Sequence, residues 1–249
     1  MALFKSSNPA LGEDTFSKYG KSSDLADVMT INGTVNKISI LLLLVICSAV
    51  WTWNLFLTAN DTAVVYPWVV GGFGIGFIVG IITIFKKEWA YITAPIYAIA
   101  EGLAIGGLSA IFDSAYPGIV LQAVLLTMTT LGALLFLYKT GIIKVTENFK
   151  LIVGSATMGI AFVYLIQLGL SFMGIRIPYI HESGIIGIGF SLFVVVIAAL
   201  NLVMDFDFIK SGSEEKAPKF LEWYAAFGLM VTLIWLYLEF LRLLAKLRD

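Results

Sequence analysis

Five carboxylates lie within or against apolar sequence: Glu101 in IYAIAEGLAIGG, Asp205 and Asp207 in NLVMDFDFI, Glu222 in KFLEWYAAFG and Glu239 in LYLEFLRLL. A carboxylate inside a hydrocarbon layer costs several kcal/mol unless it is paired, protonated or wetted. Carboxylates crowded together cannot all ionise, so such a cluster holds a proton until the local charge or the pH changes. The same oxygens are hard ligands of the kind calcium takes. Protons and a cation therefore compete for these groups, which is the chemistry of a cation pathway or a pH sensor.

Spacing sorts the acids. Asp205 and Asp207 are about 200° apart around a helix and face different ways, whereas Asn201 and Asp205, four residues apart, share a face. Asp205 is expected to look inward beside Asn201, and Asp207 to be either a second sensing acid or a solvated interfacial charge. Glu222 opens an apolar run, where an acid in the first turn also suits the helix dipole. The midpoint between positions 205 and 222 falls inside KSGSEEKAPK. A turn there would set Asp205 and Glu222 level on antiparallel helices, as a proton-sharing pair and as candidate calcium ligands. Glu239 stands three residues before Arg242, the spacing of an ion pair along one helix. Glu101 has no opposite charge nearby in sequence and is either a functional intramembrane acid or a glutamic acid bonded to a carbonyl.

The elements that carry these acids are transmembrane helices. The chain has 249 residues, of which 59% are hydrophobic and only 13% charged, against about 45–50% and about 25% in soluble domains. A formal net charge of −1 gives no basic surface for nucleic acid. Cys47 is the only cysteine and His181 the only histidine, so a disulfide is excluded within the chain and a His/Cys metal site is nearly so. Ser-His pairs, HExxH and phosphate loops are also missing, and the chain is not expected to be an enzyme. Apolar runs long enough to cross a bilayer as helix occupy roughly 37–57, 64–86, 90–112, 116–138, 151–174, 183–206 and 219–245. The expected fold is an all-α integral membrane protein, a seven-transmembrane-helix bundle over 37–249 behind a polar tail, 1–36, with no cleavable signal peptide.

Cations are unevenly placed. Lys5, Lys18, Lys21 and Lys37 in the tail, Lys86 and Lys87 in the second loop, and Lys139, Lys144 and Lys150 in the fourth fall on one side. Lys210, Lys216 and Lys219 in the sixth loop join them, while Arg176, Arg242, Lys246 and Arg248 are left for the other. The excess predicts a cytoplasmic N-terminus. Gly72, Gly76 and Gly80, and then Gly102 and Gly106, form small-xxx-small stripes suited to close helix packing, either inside the bundle or at a dimer face. Pro95 is expected to kink its span one turn before Glu101.

LYLEFLRLL at 236–244 resembles the closing signature of the Bax inhibitor (transmembrane Bax inhibitor motif) family, and MDFDFI at 204–209 resembles its short Asp-containing motif. NPAL at 8–11, VTENFK at 145–150 and IGIGFSLFVVVIAALNLVMDFDFI at 186–209 are similar to the bacterial YccA-type branch. The resemblance implies a seven-helix bundle around a central helix, in a bacterial inner membrane, and a pH-sensitive calcium leak sensed by an acid pair in helices 6 and 7. By motif that pair is Asp205 and Glu239, with Glu in place of the family's second Asp; by register it is Asp205 and Glu222. It implies no cofactor beyond calcium as the transported ion. Its alternative is a regulatory protein that binds a membrane protease or another membrane complex through its tail.

Overall fold

A computed structural model describes residues 27–172 and 184–249. The tail before residue 27, Arg176 and His181 lie outside the described residues. Among the described residues seven α-helices follow one another: α1 (Ile31–Ala59), α2 (Tyr66–Phe85), α3 (Ala90–Ala115), α4 (Ile119–Lys139), α5 (Glu147–Phe172), α6 (Ile185–Glu214) and α7 (Leu221–Arg248). All seven are long and apolar enough to cross a membrane. The protein is an all-α seven-helix membrane bundle. Without water in the hydrocarbon, backbone N–H and C=O groups must be satisfied within the segment, and helix does this residue by residue.

Helix ends follow local chemistry. α1 begins at Ile31, upstream of the apolar run, because Thr30 caps it: the Thr30 hydroxyl accepts from the Gly33 N–H. Asn60 ends it in the left-handed region at φ 49°, where Asn is tolerated. Pro67 sits in the first turn of α2, where its missing N–H costs nothing. α6 runs to Glu214, more than two turns beyond the point expected from hydropathy, so Lys210 and Ser211 are helical and the connection to α7 is shorter than the polar composition suggests.

Burial singles out two helices. In their most apolar stretches α3 is 61% buried and α7 is 72% buried, whereas α1, α4 and α5 remain largely open to the surrounding medium. The chain divides into two compact units, one built from residues 27–120 with Phe208–Val231, the other from Leu121–Asp207 with Thr232–Asp249.

In the first unit α3 packs against both α1 and α2, and the glycine stripes are what let it. A Cβ on Gly72 would stand 2.9 Å from the Ala104 Cβ, and one on Gly106 would collide with the Ala49 carbonyl oxygen. The stripes therefore pack helices within the chain. Gly106→Ala should push α1 from α3 and lower stability by about 1–3 kcal/mol. Thermal unfolding in detergent measures it; a melting curve identical to that of the native protein would show that the backbones can separate freely. In the second unit Ile160, Val194 and Ile197 form a buried apolar cluster between α5 and α6, flanked by Tyr164, Phe190 and Trp235.

Candidate functional site

In the unit of α4, α5, most of α6 and the second half of α7, Asp205 is 1% exposed. Neither of its oxygens makes a hydrogen bond of normal geometry with any described residue. The Thr232 hydroxyl on α7 is the polar group that acts on it. Asn201, one turn earlier on the same face, donates to the Thr157 hydroxyl (2.8 Å) and to the Ile197 carbonyl (2.8 Å) instead of to Asp205. The face shared by Asn201 and Asp205 is as the spacing predicts; the contact between them is not used. The carboxyl–carboxylate hydrogen bond expected between Asp205 and an acid on α7 is not formed. Asp207 points elsewhere, half-buried, and accepts from the Tyr138 hydroxyl at 3.0 Å.

Glu239 is fully buried. Its Oε1 accepts from three groups: the Tyr164 hydroxyl (2.9 Å), the Trp235 indole N–H (3.2 Å) and Arg242 Nη1 (2.6 Å). The pairing three residues apart is the one its sequence spacing predicts, and Arg242 also lies over the Tyr164 ring, 5.3 Å from its centre. Glu239 Oε2 is buried without a hydrogen bond. About two turns further on, Lys246 donates to the Gly187 carbonyl (3.0 Å) and the Ser191 hydroxyl (2.8 Å) on α6. By helix rise Glu239 is about 10 Å along α7 from Thr232, so the two motif acids occupy one unit at different depths.

In the other unit Glu222 is 1% exposed. It accepts from the Thr30 N–H (2.9 Å) and hydroxyl (3.0 Å) and is ion-paired with Lys37. A Cβ on Gly33 would collide with its carboxyl group. The expectation that Glu222 partners Asp205, as proton-sharing acid or calcium ligand, does not describe its state here: its charge is matched by an ammonium and its Oε1 is filled by Thr30. The turn assumed at the midpoint of 205 and 222 is displaced because α6 continues to Glu214. The backbone reinforces the contact, with Met29 N–H donating to the Ala217 carbonyl (2.7 Å) and Lys219 N–H to the Asp27 carbonyl (2.8 Å).

Glu101, 7% exposed, is buried midway along α3, and a Cβ on Gly76 would strike its carboxyl group. Tyr97, one turn earlier, packs edge-on against Phe227, ring centres 5.0 Å apart. Gly76 belongs to the stripe legible in sequence, but its role in seating an acid is not visible there.

Among the described residues no group of three or more His, Cys, Asp or Glu side chains could hold a metal ion. Calcium takes six to eight oxygens, and no three of the described acids come together to supply them. What the arrangement offers is separate membrane-embedded carboxylates, one of them, Asp205, buried with the Thr232 hydroxyl beside it and no hydrogen bond of normal geometry.

A family described as Bax inhibitor 1 like matches residues 7–249, nearly the whole chain. The chain belongs to the Bax inhibitor 1 like family. No curated protein and no solved structure matches it. In this Bax inhibitor 1 like chain the partners missed by sequence reasoning are Thr30, Lys37, Thr157, Tyr164, Thr232 and Lys246. Only Lys37, a cation at the head of an apolar run, carried a local signal; the others become partners through helix register.

Proposed function

We propose that this chain is a pH-sensitive cation leak, with calcium as the cation, gated at membrane-embedded carboxylates. The observation that carries the proposal is Asp205, 1% exposed and with neither oxygen in a hydrogen bond of normal geometry. A buried carboxylate in this state is neutralised by a proton or by a passing cation, and the two compete. Glu239 Oε2 is also buried and without a hydrogen bond, but that carboxylate's charge is already answered by Arg242 through Oε1. No catalytic step is part of the proposal. The lysine distribution supports a cytoplasmic N-terminus, and the resemblance of residues 186–209 to the YccA-type branch supports a bacterial inner membrane.

Purified protein in liposomes loaded with a calcium indicator should admit calcium at a rate that depends on pH. Liposomes as tight as protein-free ones at every pH would overturn the leak.

A second reading, a regulator that binds a membrane protease or another membrane complex through its tail, has one observation in its favour. The chain that emerges from the tail is bonded at Asp27–Thr30 directly to the connection leading into α7. Deleting residues 1–24 separates the two readings, because it spares those bonds, whereas a longer deletion through Thr30 would remove the Glu222 cap. A leak keeps its flux after the deletion, within about twofold; a tail-read regulator keeps its fold and loses its partner.

A further inference from the structure

One face of α6 is polar at both ends and apolar in the middle. Ser191, Val194, Ile197, Asn201 and Asp205 succeed one another at three- and four-residue spacing, and all are buried. Their contacts keep step with the neighbouring helices. Asp205 stands by Thr232 and Ser191 by Lys246 of α7, and the two pairs are equally far apart on both helices, about 21 Å by helix rise. Asn201 meets Thr157 of α5. Between these polar ends α5 and α6 contribute the apolar cluster of Ile160, Val194 and Ile197, while α7 places the buried Glu239 midway between Thr232 and Lys246. Two of the three aromatic side chains that wall the cluster, Tyr164 and Trp235, donate to Glu239 Oε1. The carboxylate and the apolar cluster are thus held by the same side chains.

We propose that Ile160, Val194 and Ile197 are a hydrophobic barrier that interrupts a polar column within this unit and keeps it dry, with Tyr164 and Trp235 tying the barrier to Glu239. The inference rests on the leak reading and names the place where that leak is closed. Hydrophobic constrictions close pathways by excluding water, without a mechanical plug. The column is long enough to matter, because about 21 Å is most of a hydrocarbon core roughly 30 Å thick. Polar groups at both ends give water somewhere to be held, the Asp205 end alone offers a carboxylate to a cation, and a short apolar step between them is the element whose wetting sets the rate.

The test is Val194→Thr, close in shape but bearing a hydroxyl, with Ile160→Thr as a second variant should the first fail to fold and Val194→Leu as the apolar control. Calcium entry into liposomes is measured at the pH where the native protein is tightest. Val194→Thr should raise the flux about tenfold, and Val194→Leu should leave it unchanged or lower it. A native protein that leaks with both threonine variants indistinguishable from it would overturn the barrier and leave the leak standing. A silent native protein with a leaking threonine variant would overturn the basal leak and support the barrier. Silence in the native protein and in both threonine variants would overturn both.

Discussion

Lys37→Ala is expected to destabilise the protein by about 3 kcal/mol, on the order of 10 °C in melting temperature for a chain of this size. The reason is the asymmetry of burial: the Lys37 side chain is 17% exposed and that of Glu222 only 1%. Removing the ammonium leaves a carboxylate in the interior with only the Thr30 N–H and hydroxyl to answer its charge. Breaking one side of a buried pair costs far more than replacing both sides by neutral groups. Glu222→Gln alone should therefore cost much less, because the amide oxygen can still accept from Thr30 and the lysine stem can carry its charge toward water. Lys37→Met combined with Glu222→Gln should recover most of what Lys37→Ala loses. Melting curves in detergent for the three proteins decide it, and a double variant as unstable as Lys37→Ala would show that the loss comes from packing of the lysine stem on Trp223, 5.5 Å from ring centre to Nζ, and not from charge.

Asp205→Asn is expected to abolish the pH response of calcium flux while leaving the protein folded. The amide has the carboxylate's shape, cannot bind or release a proton in this range, and removes a buried group that lacks hydrogen bonds of normal geometry. The amide carries no charge to desolvate but brings two donors that need partners, so stability should stay within about 2 kcal/mol of the native protein's. Flux of the native protein should change about tenfold or more across the response, a shift of ~1.4 kcal/mol between states, and the variant's should be flat. A variant with the full native pH response would remove Asp205 from the sensing role and leave Glu239 and Glu101 to be tested by the same substitution to Gln.

Much of the architecture was legible in the residues. Length and hydropathy alone imply seven membrane helices, since lipid admits no other backbone for apolar runs of this length. The spacing of Glu239 and Arg242 dictated their ion pair, and that of Asn201 and Asp205 their common face, because both relations lie within one helix and need only its period. The glycine stripes marked where backbones approach, though not which helix each would meet.

What only the tertiary structure decided are relations across helices. Register between α6 and α7 depends on where α6 stops, and composition stopped it too early: Ser211, Gly212 and Ser213 read as a loop yet complete a helix ending at Glu214. That shift brings Thr232 to Asp205. Glu222 is instead claimed by Thr30 and Lys37, residues 192 and 185 positions away. The apolar cluster of Ile160, Val194 and Ile197 was equally hidden, for in a chain 59% hydrophobic an isoleucine facing lipid and one facing a buried column look alike. Helical period tells which residues share a face; only packing tells what that face meets.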